Sequence, residues 1–546
     1  MVTAASDQSN RSASRARNAR RRRAWPWVAA FLAALGIAIL LEAHYFLSHA
    51  QAILRDRVVE TLTARFKTKV ELAELDVSVT DGLNVSGRGL KIFGPTNPNR
   101  SEPGVQPLIS LQEFRFKTGV FSLLRSPMHV DTVYVKGLVL NVPPKEDQAR
   151  LSEMGDSSGR KMMKTSIAVD KIVCDDTELI IDTSKPGKAP LVFQISHVDM
   201  KEIGPNQPLR FAATLVNPKP KGDIKSAGTF GPFREDSPRE TPVSGDYSFT
   251  HADLGTLNGI SGMLSSTGNY SGMLGRIEVS GVTDSPDFRV ASSGHPVSLH
   301  TDFHAIVDGT DGDTYLDPVE ARFLHTSLTA KGKVIRVSDP PGRDIELDVI
   351  LNRGRIEDLL WLGVKTEPPV MSGPVVLKMK MSLAPGPADI ANRLKLDGTF
   401  RISAGLFSNR KIQDRIDSLS LRSRGEPRQA DEHAEVGVPS DLNGSFSLDE
   451  GVLKFPVLQF AVPGTHADVA GRYSLDGNTF DFHGKLRLDA KLSQMTTGWK
   501  SVLLKPADRF FSKNGAGTEV PFSVSGTREE PHFGLDFGQQ KSGTGK

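Results

Sequence analysis

The sequence predicts a mainly β protein: an N-terminal transmembrane helix followed by an elongated, curled antiparallel β-sheet, a hydrophobic groove of repeating hairpin units, with a few short helices. Three observations carry this expectation. Residues 25–41 hold no charge and follow directly on Arg20, Arg21, Arg22 and Arg23. Beyond them, apolar residues recur at every second position through most of the chain, the period of half-buried strands. The 546 residues include 50 Gly and 34 Pro with only 7% aromatics, a mixture that suits many short strands and turns.

Residues 1–23 form a basic tail in which Asp7 alone opposes Arg11, Arg15, Arg17 and the arginine run. The transmembrane helix is expected over 24–47, with Trp25, Trp27, Phe31, Leu35, Ile39 and Leu41 as its anchor residues. At about 1.5 Å per residue, continuing the stretch through Tyr45, Phe46 and Leu47 brings it to the roughly 30 Å of a hydrocarbon core. The positive-inside bias keeps the tail cytoplasmic and exports the rest. A signal peptide cleaved near Ser48-His49-Ala50 is the alternative, but the apolar run exceeds the usual h-region.

Residues 48–160 open with Leu54, Val58, Leu62 and Phe66, spaced every four, which predicts an amphipathic helix over 53–66. The period then drops to two at Leu75, Val77 and Val79, at Leu83 and Val85, at Phe114 and Phe116, and at Val133 and Val135. A polar stretch over 145–161 sets the boundary to a middle β region, 161–393. Its cleanest strand, residues 377–383, alternates Leu377, Met379 and Met381 with Lys378 and Lys380, and 354–362 reads as a short helix. The C-terminal β region spans 394–538 and carries a polar insertion over 426–440; residues 539–546 form a tail. Leu492, Met495, Trp499, Val502 and Leu503 follow a helical spacing, with Gly498 as a weak point, and predict an interfacial helix or one capping a sheet edge. A hairpin repeat is also visible: Leu316-Asp317-Pro318-Val319, followed by Phe323, Thr326 and Gly332, parallels Phe455-Pro456-Val457, followed by Phe460, Thr465 and Gly471.

Composition limits function. With 67 Lys+Arg against 64 Asp+Glu the net charge is +3, and the basic tail supplies more than that excess, so the exported part carries no strong field for nucleic acid. A single cysteine, Cys174, excludes an intramolecular disulfide. Zinc-protease, nucleophile-elbow and phosphate-loop patterns are absent, so no catalytic, cofactor or metal residue is assigned and the chain is not expected to be an enzyme. His300, Asp302 and His304 share one strand face, but Leu299, Phe303 and Val307 take the other, which makes the histidine face the solvated one. What remains is the apolar pattern. Leu75, Val77, Val79, Val133, Val135, Leu377, Met379, Met381, Phe455 and Val457 are the residues expected on it. A closed barrel or sandwich would hide such faces; a trough tethered to a bilayer would instead hold acyl chains, each CH₂ worth about 0.8 kcal/mol.

The chain resembles the AsmA family of bacterial envelope proteins. The N-terminal resemblance rests on the single span, Arg57-Val58-Val59-Glu60-Thr61-Leu62, Val70-Glu71-Leu72 and Val85-Ser86-Gly87-Arg88-Gly89-Leu90. The C-terminal one rests on Asp397-Gly398-Thr399-Phe400, Ile412-Gln413-Asp414-Arg415-Ile416-Asp417-Ser418-Leu419, Ser440-Asp441-Leu442-Asn443-Gly444 and Gly471-Arg472-Tyr473-Ser474-Leu475. It implies an inner-membrane anchor, a periplasmic curled sheet with a hydrophobic groove, and phospholipid transfer between inner and outer membrane in support of outer-membrane biogenesis. Expected partners are phospholipids, the inner membrane, and outer-membrane proteins or an oligomer completing the path. A scaffold for outer-membrane proteins that carries no lipid is the alternative function.

Overall fold

The structure, a computed structural model, describes residues 55–535 apart from internal stretches, the longest being 94–106, 120–127, 143–166 and 182–189. The expected transmembrane residues Trp25 to Leu41, the basic tail and Val79 lie outside the described residues. Among the described residues no helix is long and apolar enough to cross a membrane.

The described residues form 26 strands of one long, mostly antiparallel sheet, as the period of two predicts. The first ten are β1 (Val70–Glu71), β2 (Glu74–Ser78), β3 (Leu83–Ile92), β4 (Ile109–Thr118), β5 (Met128–Val142), β6 (Ile167–Ile181), β7 (Leu191–Ile203), β8 (Leu209–Pro218), β9 (Lys221–Phe230) and β10 (Pro242–Asp253). Next come β11 (Ile260–Ser261), β12 (Met263–Met273), β13 (Arg276–Val290), β14 (Val297–Val307), β15 (Thr314–Phe323), β16 (Thr326–Ser338), β17 (Pro341–Arg355), β18 (Met371–Ser372) and β19 (Pro374–Leu383). The last are β20 (Leu394–Phe407), β21 (Ser440–Asp449), β22 (Val452–Val462), β23 (Thr465–Ser474), β24 (Thr479–Leu488), β25 (Thr518–Thr527) and β26 (Pro531–Leu535). The chain divides into two compact units: the first is mainly the chain up to Thr256 with Leu264–Gly281, the second mainly Val282–Ile306 and everything from Asp311.

In the first unit, residues 55–56, 59–60 and 62–63 are helical, in line with the four-residue spacing, and Leu62 is fully buried. It joins Leu75, Leu83, Val85, Leu111, Phe114 and Val135 in one closed core. β5 and β6 pair in parallel, from Met128 opposite Ile167 to Val142 opposite Ile181, where the sequence led us to expect antiparallel strands throughout. Parallel neighbours need a long crossover, and the polar stretch read as a boundary between regions is part of that connection.

In the second unit, β15 to β26 pair antiparallel in sequence order, apart from the two-residue β18, which pairs β20 while β17 pairs β19. The expected boundary at 393/394 falls inside the β19–β20 hairpin, where Leu383 faces Leu394. The hairpin repeat is physical. Leu316 faces Gly332 and Phe455 faces Gly471, and in each pair the register shifts immediately afterwards, at Pro318 and Pro456. A proline has no N–H for the ladder, so a bulge is where a strand accommodates one. Both hairpins close over a two-residue turn onto a buried threonine, Thr326 or Thr465.

Helices α1 (Ile356–Gly363), α2 (Arg410–Ser423) and α3 (Pro427–Asp431), with the 3-10 turn Leu492–Met495 and α4 (Trp499–Leu504), follow β17, β20 and β24. These three strands run in the same direction, so the helices lie along one end of the strands. The threonines tie them down. Thr326 donates to Asp358 of α1 at 2.8 Å, and Thr465 lies 2.8 Å from the Ser423 hydroxyl of α2. The helix expected from Leu492 to Leu503 is two pieces, because Gly498 takes φ 67° between them. The sheet is not curled, which corrects the curled sheet expected from the sequence and from the family resemblance, and most of the apolar face of the second unit stays half-exposed.

Candidate functional site: an apolar sheet face

Strand register in the second unit stacks apolar side chains into rows that cross the sheet. One row runs Leu377, Phe400, Gly444, Leu458, Val469 and Gly484, each facing the next across a strand pair. A second runs Leu347, Met381, Leu396, Leu448 and Leu453. From β17 to β24 the two rows together cross seven paired strands, and at about 4.8 Å per strand that is roughly 30 Å of apolar track, against about 15 Å for half a bilayer core.

The burial of these residues distinguishes an open face from a core. Leu351 and Val375, beside α1, are fully buried with Met371 and Ile402. Further along the strands, Leu377, Met379, Met381, Leu396, Phe400 and Phe446 are each only partly covered. Leu377 and Phe400 pack against the edge of the Leu351 cluster, and the others lie beyond it, outside any buried cluster among the described residues. The ring faces extend the surface: Phe400 lies 6.2 Å from Phe446 and 6.4 Å from Phe455, and Phe455 lies 6.0 Å from Phe482. Phe482 lies over Gly471, where any Cβ would overlap the ring, so the missing side chain lets the ring lie flat along the sheet.

The opposite face is charged and laced with cross-strand ion pairs, including Lys331–Asp317 at 2.6 Å, Lys333–Glu346 at 2.9 Å and Arg487–Asp468 at 3.2 Å. His300 belongs to it. Its Nδ1 lies 2.6 Å from Asp284, whose carboxylate raises the imidazole above its ordinary value, and Arg322 engages Asp302 at 3.2 Å. The His300 and Asp302 side chains are thus engaged as ion-pair partners on a solvated face. His129, Asp131 and Asp170 bring their ligand atoms within 4.8 Å of one another, a grouping invisible in a sequence that separates its members by about 40 residues. His129 Nε2 meets Asp170 at 3.0 Å, and the three behave as another exposed ion pair.

The expected lining residues divide three ways. Leu377, Met379, Met381 and Phe455 share the half-exposed face. Leu75 and Val135 are buried in the closed core of the first unit, with Val77 and Val133 packed against it, so these four line a packed interior. Val457 is corrected outright: the bulge at Pro456 flips its parity, Leu458 takes the apolar position opposite Gly444, and Val457 faces outward at 51% exposure. Of the interfacial residues, Leu492 and Met495 are partly covered and Leu503 is 65% exposed; the side chains of Trp499 and Val502 lie outside the described residues. Sequence reading missed Leu396, Phe400, Phe446, Leu458 and Phe482 as members of the face. The signal was the pairing of aromatics with glycines such as Phe482 and Gly471, which needs the register to be read.

In the first unit one register row shows the face changing character. It runs from buried Val135 and Cys174 through Val198 and Ala213 to Ser226 and Tyr247. There Ser226 meets the Tyr270 hydroxyl at 2.7 Å and Ser266 meets that of Tyr247 at 3.1 Å.

No protein-family model and no curated protein sequence matches this chain.

Proposed function

We propose that this chain is a membrane-anchored periplasmic protein that binds phospholipids by their acyl chains and transfers them between inner and outer membrane, supporting outer-membrane biogenesis. The carrying observation is the rows of mostly half-exposed apolar residues across β17 to β24, backed by a solvated, ion-paired face. A soluble sheet without a second layer leaves that face in water. An acyl chain laid along it regains about 0.8 kcal/mol for each CH₂ it buries. The rows run from strand to strand, so a chain can slide along them without crossing a polar barrier. The arginine run and the apolar stretch behind it supply the anchor in this reading, and the resemblance to the AsmA family points to the same role.

Photoreactive residues test it. Placed at Leu396 and Phe400 in the full chain they are expected to crosslink phospholipid, while the same group at Lys395 and Lys454, on the opposite face, is not. Capture of protein alone at Leu396 and Phe400 would favour a scaffold that carries no lipid.

A further inference from the structure

We propose that one corner of the second unit is a docking surface for a bilayer containing anionic phospholipid. It lies on the outward, charged face beside α1 and α2, opposite the apolar rows. Ile350 faces Lys378 and Val376 faces Arg401, so two exposed aliphatics alternate with cations on adjoining strands, and exposed Leu406 faces Ser372 beside them. Ser408 N donates to Val370 O at 3.1 Å, which brings exposed Val370 alongside, and exposed Ile412 follows in the first turn of α2.

Two properties set this corner apart. Many cations elsewhere on the face are paired across strands, as Lys331, Lys333 and Arg487 are, whereas Arg353, Lys378, Lys380 and Arg401 gather here, exposed and forming no ion pair among the described residues. The carboxylates at adjoining register positions are Asp348 and Asp397, which both face Lys380, while Glu357 and Asp441 are held by other groups. Glu357 accepts from Arg355 at 2.6 Å and from Gly373 N at 2.9 Å, and Asp441 accepts from Ala404 N at 2.9 Å. At the margin Glu367 and Asp414 are outnumbered by Lys365, Lys411 and Arg415.

The chemistry favours a lipid surface over a protein. Protein interfaces concentrate their energy in aromatic anchors seated in pockets and are depleted in lysine. This corner offers aliphatics and flexible cations on a sheet surface, with no aromatic ring among them. A lipid interface is recognised in just that way, by shallow apolar insertion and by basic residues that each contribute about fivefold in affinity beside an anionic leaflet.

The test uses the full chain in phosphatidylcholine nanodiscs, mixed with vesicles of phosphatidylcholine with or without phosphatidylglycerol and separated by flotation. The N-terminal arginines are present in every variant and cancel in the comparison. Binding is expected to require phosphatidylglycerol and to weaken as salt rises. Lys378→Glu with Arg401→Glu is expected to reduce it by at least about 25-fold, and Val376→Asp with Leu406→Asp to reduce it too, all with an unchanged thermal melt. Lys378→Gln with Arg401→Gln serves if the reversal disturbs folding. Equal binding to both vesicles, or parental binding by these variants, overturns the proposal, and the second result would assign the corner to a protein partner. Bound acyl lipid is expected to stay the same in these variants, because they lie on the other face. Failure of the lipid-carrying reading would appear separately, as lipid-free protein that still floats with the anionic vesicles.

Discussion

Single side chains in this protein report which face they belong to. Burial, and then the neighbouring Asp175 carboxylate, push the Cys174 thiol up to about 12, so the thiolate that would react is absent near neutral pH. A maleimide is expected to leave the folded chain unlabelled and to label it on urea unfolding; rapid labelling of the folded chain would show that the first unit's core is open. His300 carries the opposite lesson. The Asp284 hydrogen bond raises the folded imidazole above its ordinary value near 6.5, so its contribution to stability is complete below that value and fades as pH climbs through the raised one. His300→Gln is expected to flatten this part of the melting-temperature profile; an unchanged profile would mean the pair forms no better folded than unfolded. Truncation separates face from core in the same way. Leu351→Ala, at a fully buried site, is expected to cost about 3 kcal/mol. Met381→Ala, on the half-exposed face, is expected to cost about 1 kcal/mol or less, and a core-like loss there would contradict an open face.

At the scale of elements, the hairpin repeat was legible in sequence because prolines, glycines and threonines keep their spacing through it. Its physical content was not. The prolines mark bulges, the glycines allow close approach from the neighbouring strand, by backbone at Gly332 and by the Phe482 ring at Gly471, and the threonines anchor helices to strand turns. Those anchors are long-range: Asp358 also accepts from His325 N at 2.9 Å, and Asp417 accepts from Val438 N at 2.8 Å. Asp358→Ala strands the buried Thr326 hydroxyl and the partly buried His325 amide, and is expected to lower stability by about 2–3 kcal/mol in urea unfolding. An effect near zero would show that α1 is held by its apolar side alone. Helix 356–363 was visible from its own residues, within two positions at its start. The parallel β5–β6 pair was not, because direction is set by a connection whose composition says only that it is polar. Val457 failed for a related reason: counting by two is valid only until a bulge, and one bulge exchanges the faces.

Over the whole molecule, the sequence made the strand-rich class legible through its period, and it gave apolar faces without saying which are covered. Coverage depends on register and on what lies above the sheet, and neither is local. In the first unit the N-terminal helical residues close the face into a core around Leu62. In the second, the helices sit at the strand ends, and the rows from Leu347 to Leu453 and from Leu377 to Gly484 stay half-exposed except at buried Leu448. That difference, with two treatments of the same alternating pattern in one chain, is what the lipid-carrying account rests on. Its most direct test is the lipid content of the full chain after gentle detergent extraction, weighed by native mass spectrometry. The account predicts bound phospholipid that is lost when Met379→Asp and Phe400→Asp place charges in the rows, with folding retained. Lipid-free parental protein, or lipid retained equally by that variant, would contradict it.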